Sequence, residues 1–181
     1  DLWKLIDEAF PESEVPDALT LERRRHEAYG ATRLGLYLGG EKYFKVLDEA
    51  MKAKSFQPVL ITGQSGGGKS ALLANWVVGW SARYPKTSVI MHHLGSGADA
   101  AEPVKLATRL MQEIARLTGE EFKSEDNPEK QLEQLPQWFA TGSAWAQRMN
   151  QELLIVFSIK REIIRCIIQF PISHFWNRNL F

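Results

Sequence analysis

The chain of 181 residues has a single cysteine, Cys166, which excludes an internal disulfide framework and fits a reducing, intracellular compartment. It also lacks an excess of charge of either sign, since 22 Lys+Arg meet 22 Asp+Glu. No overall field therefore favours nucleic acid or an anionic membrane, and any partner has to be recognised locally. Long apolar runs are missing too. The most apolar segment, "LLIVFSIKREIIRCIIQF" at 153–170, is broken by Lys160, Arg161, Glu162 and Arg165, which argues against a membrane span. There is no internal repeat and no low-complexity tract. The first residue is Asp1 rather than Met, and no basic stretch followed by an apolar one comes after it. The expectation is a soluble, cytoplasmic piece of a longer protein, without a secretory signal.

What is present, 44% hydrophobic residues, is enough for one domain with a real core. A short helix is expected before the linker "AFPESEVP", then a charged, helix-permissive stretch from Asp17 to about Arg33, interrupted by "GLYLGG". Tyr43, Phe44, Val46, Leu47, Ala50 and Met51 recur at helical spacing between Glu41 and Lys52. "PVLIT" at 58–62 has the continuously apolar, β-branched look of a central parallel strand buried on both faces. A helix over 69–82, a strand at "SVIMHHL", and a helix over 103–118 opened by Pro103 and stopped by Gly119 follow. After the polar loop "GEEFKSEDNP", a helical stretch from about Pro128 to Asn150, broken near Pro136, leads to a strand at "ELLIVF". Strands alternating with helices predict a mostly parallel sheet with helices on both faces.

The stretch "VLITGQSGGGKSALLANWVV" joins a strand to a helix through a knot of glycines. Gly63, Gly68, Lys69 and Ser70 satisfy G-x-x-x-x-G-K-[ST], the Walker A pattern. In it, glycines let backbone N–H groups approach phosphates, the lysine neutralises the β/γ oxygens, and the hydroxyl ligates Mg²⁺. By chance the pattern arises in about one chain of this length in a hundred or fewer, and the flanking strand and helix are the context it needs. The expected cofactor-binding residues are Gly63, Gln64, Ser65, Gly66, Gly67, Gly68, Lys69, Ser70 and Ala71, with Ser70 on the metal. Hydrolysis needs an acid besides, normally at the end of a buried apolar strand. "LLIVF" runs instead into Ser158, Ile159 and Lys160, with no acid before Glu162, so no catalytic residue is assigned.

Three segments, "LERRRHEAYGATRLGLYLGGEKYFKVLDEAMK", "PVLITGQSGGGKSALLANWV" and "VIMHHLGSGADAAEPVKLATRLMQEI", together resemble the nephrocystin-3-like NACHT ATPases, members of the STAND class of signalling P-loop NTPases. The likeness runs from about residue 17 to 156, with "GKSALLANW" and "HHLGS" its more specific parts. It implies an α/β, three-layer P-loop NTPase fold with a mostly parallel sheet. It also implies an ATP-dependent switch in a large scaffold that usually continues into tetratricopeptide repeats, with an association with cilia. Protein partners would then engage regions outside this chain. Two departures matter. Family members carry an apolar-Gly-Arg-Glu element that helps seat adenine, whereas "YLGGEK" offers Tyr37, Leu38, Gly39 and Glu41 with Gly40 in place of the arginine. They also carry an acid after the third strand, where this chain has Phe157 or Ser158. From about residue 157 the likeness stops abruptly, as a retained intron or a mis-spliced gene would leave it. The family's fourth strand, which lies between the first and third, is then either missing or replaced by "IIRCIIQF". The expected division is a helical N-terminal segment and linker over 1–57, a NACHT-like P-loop core over 58–157 and an atypical tail over 158–181.

The functional expectation is a nucleotide-binding module for ATP or ADP with Mg²⁺. The alternative is a non-hydrolysing nucleotide-binding or scaffold fragment, and a small-molecule kinase ranks last because no arginine-rich lid follows the second strand. Other residues read as structural. Adjacent strand residues such as His92 and His93 point to opposite faces and do not share an ion readily. "RRRH" at 23–26, flanked by Glu22 and Glu27, reads as a solvated helix face. Asp99 and Glu102 read as helix caps, Trp76, Trp80, Trp138, Phe139 and Trp145 as packing, and Cys166 as an incidental thiol.

Overall fold

The computed structural model describes residues 2–9, 16–35, 39–53, 58–97, 100–158 and 165–170. They form α1 (Leu2–Ala9), α2 (Ala18–Ala31), α3 (Glu41–Lys52), β1 (Val59–Ile61), α4 (Lys69–Arg83), β2 (Thr87–His93), α5 (Pro103–Thr118), α6 (Pro128–Glu133), α7 (Leu135–Met149), β3 (Glu152–Ser158) and β4 (Arg165–Phe170). The order of strands and helices expected up to residue 157 is the one observed. Local chemistry sets the boundaries. The Asp17 carboxylate accepts from the backbone N–H of Thr20 at 3.0 Å and from its hydroxyl at 2.6 Å, starting α2. Those two bonds hold the Asp17 carboxyl below its ordinary pKa. Asn127 does the same for α6, accepting from the N–H groups of Glu129 and Lys130. Pro136 sits in the first turn of α7, where its missing N–H is no loss, so the expected break falls just before it. Glu102 takes the N-cap position of α5, but its side chain makes no capping bond and pairs with Lys105 at 3.4 Å instead. Asp99 lies outside the described residues.

The sheet has the order β1-β4-β3-β2. β2 and β3 are parallel from Thr87↔Glu152 to His93↔Ser158. β4 runs antiparallel to both β3 and β1, so β1, β2 and β3 share one direction and β4 alone opposes them. The segment "IIRCIIQF" thus contributes the strand between the first and third, in reversed direction. β1 corrects one expectation: it is an edge strand rather than a central one, and Leu60 is 56% exposed. Apolarity alone did not distinguish these, because a short edge strand with a single neighbour reads the same as a buried one.

Alternation along β3 divides the core into two faces. Leu154 and Val156 pack with Leu72, Leu73, Trp76 and Trp80 of α4 and with Leu47 and Met51 of α3. Leu153 and Ile155 pack on the opposite face with Leu110 and Ile114 of α5 and Trp145 of α7. The result is three layers, helix on sheet on helix, and the tryptophans are packing residues as expected. α3 is fastened to α4 by Asp48, which accepts from the Trp76 indole at 2.8 Å and pairs with Arg83 at 2.8 Å.

Helix α2 covers the outer edge of β2. An edge strand leaves outward N–H and C=O groups that need partners. Here His26 Nδ1 accepts from the His93 backbone N–H at 2.8 Å, and Arg109 donates to the Met91 carbonyl at 3.3 Å. Two of the four residues of "RRRH" therefore depart from a solvated face: His26 is buried, and the half-buried Arg23 reaches Glu113 of α5 at 3.2 Å. The period of a helix does not reveal that a sheet edge will need its histidine.

Candidate functional site

The turn from Thr62 to Gly68 links β1 to α4 at the end of the sheet toward which β1, β2 and β3 all point. Gly66 and Gly68 take φ of 79° and 77°, a region that costs glycine nothing. Gly63 has φ 153°, and a Cβ on Gly67 would meet the Gln64 carbonyl at 3.1 Å. Gly67 N–H bonds to Gln64 O at 3.2 Å and Gly68 N–H to Gly66 O at 2.8 Å, which winds the turn tightly. Lys69 opens α4 and is only 8% exposed. Its ammonium donates to the carbonyls of Gly63, at 2.6 Å, and Gln64. The cation thus lies inside the curl of the turn, with both acceptors drawn from the backbone. Ser65, Gly66, Gly67, Gly68, Lys69, Ser70 and Ala71 line a cavity of about 250 Å³. The first turn of α4 brings its free N–H groups to this cavity, so the positive end of the helix dipole faces it.

Ser70 connects the turn to the sheet. The Ser158 hydroxyl, at the last position of β3, donates to Ser70 Oγ at 3.1 Å. The strand end expected to face the turn does so, and it carries a hydroxyl instead of a carboxylate. Ser158 is buried and Phe157 lies on the opposite face, its ring 6.5 Å from that of His92, so Ser158 and not Phe157 takes the position beside Ser70. Of the residues expected to help seat adenine, Tyr37 and Leu38 lie outside the described residues. Gly39 adopts φ 76°, Gly40 precedes α3, and Glu41 is exposed in its first turn.

Two residues that sequence reasoning did not single out complete the cavity wall: Tyr29 and Arg33, from the end of α2 and the turn after it. Asn75 of α4 holds this turn, donating to the Arg33 carbonyl at 3.1 Å and to Ala71 O at 2.8 Å. The Arg33 guanidinium lies over the Tyr29 ring at 4.5 Å. Arg33 lies two residues past the end of α2, and no local signal ties it or Tyr29 to a turn thirty residues onward.

Behind this wall is a buried polar network. His92 is fully buried; its Nδ1 accepts from Arg109 at 2.9 Å, because an arginine can only donate, and its Nε2–H therefore donates to Ala100 O at 2.7 Å. Burial chiefly, and the nearby Arg109 charge in addition, push its pKa down to about 4. His26 is likewise neutral with its proton on Nε2, since Nδ1 accepts from His93, and burial lowers its pKa too. The Glu22 carboxylate lies 3.7 Å from His26 Nε2, and that contact chiefly lowers its pKa. Buried Glu113 draws together Arg23, Arg109 and Arg116, each within 3.4 Å. His92 and His93 do face apart as expected, and among the described residues no group of three His, Cys, Asp or Glu could hold a metal ion. The Cys166 side chain lies outside the described part of the structure.

An αβα domain with a glycine-rich turn between its first strand and the following helix is the class these observations define. Over most of its length the chain is similar to nephrocystin-3. The mouse protein is 29% identical over 145 residues, covering 76% of this chain and 10% of that protein, and the human one 29% over 124 residues, covering 67% and 9%. A TPR repeat-containing protein of Dictyostelium discoideum is 25% identical over 141 residues, covering 63% and 8%. The chain thus spans about a tenth of the length of the curated relatives it matches. No family model matches it, and no solved structure does. No described helix is long and apolar enough to cross a membrane.

Proposed function

We propose that residues 63–71 bind the polyphosphate of a nucleotide, ATP or ADP, as the nucleotide-binding module of a NACHT-type signalling scaffold of P-loop NTPase fold. The observation that carries this reading is the cradle itself. A turn with two left-handed glycines delivers Lys69 and the first N–H groups of α4 to one cavity, and an anion suits that combination. Phosphate oxygens would replace the Gly63 and Gln64 carbonyls as acceptors for the Lys69 ammonium. Ser70 offers one hydroxyl oxygen at the rim, which suits a Mg²⁺ ion carried in with the phosphates and still holding most of its waters rather than a resident metal. When bound, that ion would neutralise the β- and γ-phosphate oxygens.

The Ser158–Ser70 hydrogen bond favours a second, narrower reading, that the module binds without turning over. A serine hydroxyl neither holds the water shell of Mg²⁺ with full charge nor serves as a base at neutral pH. Thermal unfolding with and without Mg-ATP tests the binding. At about 100 times its dissociation constant the nucleotide should add about 2.7 kcal/mol to the parent chain and nothing to Lys69→Ala. Equal stabilisation of both, or of neither, would dismiss the cradle.

A further inference from the structure

We infer that Arg33 is a phosphate-binding residue, delivered to the cradle from the turn after α2 and aimed there by Tyr29. The inference rests on the nucleotide reading above and adds a ligand that the glycine turn does not contain. Three observations carry it. First, Arg33 and Tyr29 line the same cavity as Gly66 and Lys69. Second, among the described residues no carboxylate pairs with Arg33; its side-chain contacts are the Tyr29 ring and a 3.4 Å bond to the Thr32 hydroxyl. A half-buried guanidinium at the rim of a cavity, partnered by a ring face and one weak acceptor, keeps most of its N–H donors available to a multivalent anion. Third, its placement is built. Its backbone is fastened to α4 by Asn75, and behind it Tyr29 packs on His93 at 4.8 Å, which in turn stacks on His26 at 6.1 Å. A column of rings thus runs from the covered edge of β2 to the mouth of the cavity and ends in a cation.

The geometry gives α2 a consequence. Arg33 and Lys69 approach the anion from separate parts of the chain, so a bound polyphosphate would tie the end of α2 to the start of α4. Occupancy of the cradle would then be felt by the N-terminal segment directly, and Tyr29 acts as a positioning residue, since it orients the guanidinium and carries no charge to the ligand.

Isothermal titration with Mg-ATP, and separately with tripolyphosphate, which has no base, tests this in the full chain. Arg33→Ala should weaken both ligands by about tenfold to a hundredfold, the range for a charge-assisted hydrogen bond. Arg33→Lys should recover part of the loss, and Lys69→Ala should abolish binding. Arg33→Ala binding like the parent while Lys69→Ala fails would overturn the role of Arg33 and leave the cradle intact. A loss seen with ATP and not with tripolyphosphate would also overturn it, since the contact would then be to the base. A parent that binds neither ligand would remove the nucleotide reading itself. In the unaltered chain, the Arg33 Nε–H NMR signal should shift on saturation with tripolyphosphate. An unmoved signal rules the contact out even if the variants do not fold.

Discussion

Ser158 and Ser70, 88 positions apart in the chain, share a hydrogen bond of 3.1 Å that joins the end of the central strand to the first turn of the helix after the glycine knot. The contact puts residue 158 where a carboxylate would be within reach of a cation on Ser70. Ser158→Asp should therefore raise Mg²⁺-dependent phosphate release from ATP at least about tenfold above the parent, a barrier change of about 1.4 kcal/mol. Without nucleotide it should cost about 1–3 kcal/mol, because a buried carboxylate would lack a full partner. A parent that releases phosphate as fast as the variant would contradict the non-hydrolysing reading.

The histidine network predicts an acid-sensitive fold. His92 has its pKa depressed by burial to about 4, below the value of about 6.5 for an unfolded histidine. Above pH 6.5 both states are neutral there and nothing is lost. As pH falls from about 6.5 to 4, the unfolded chain takes the proton first and the folded state loses stability, by about 2 kcal/mol at pH 5 from this residue alone. Depressed His26 acts in the same direction, as does Glu22, whose contribution is lost lower in the range as its carboxyl protonates. Urea midpoints between pH 7 and 5 should fall accordingly, and His92→Gln should flatten the slope.

Glu113 neutralises a set of arginines that are otherwise close enough to repel. Removing it by Glu113→Ala leaves Arg109, 2% exposed, without its nearest carboxylate. The expected loss is about 3–5 kcal/mol in equilibrium unfolding. Glu113→Gln, which keeps acceptors but no charge, should lie between this variant and the parent.

Two helical glycines should respond to alanine with opposite sign. Gly79 of α4 has open space where a Cβ would stand, so Gly79→Ala should gain about 0.5–1 kcal/mol from helix propensity. At Gly142 of α7 the added carbon would meet Leu153 at 2.9 Å and Ile114 at 3.3 Å, both in the core between α5, α7 and β3. Overpacking there outweighs propensity, and Gly142→Ala should lose about 1–3 kcal/mol. Thermal melts of the two variants would show the contrast directly.

Local patterns by themselves determined the elements and their order, because the apolar periods of α3, α5 and β3 and the start and stop signals at Pro103 and Gly119 act within a few residues of where they are read. They determined the glycine turn and the absence of an acid at the end of β3 for the same reason. Only the tertiary structure decided that β1 is an edge, that β4 enters antiparallel between β1 and β3, and that His26 and Arg109 serve the backbone of β2. It also decided that Tyr29 and Arg33 stand beside the glycine turn. Those facts depend on which segments meet across long stretches of chain, and the physics that fixes them is the satisfaction of a sheet edge and the closing of a core. Neither leaves a mark on the few residues around Arg33.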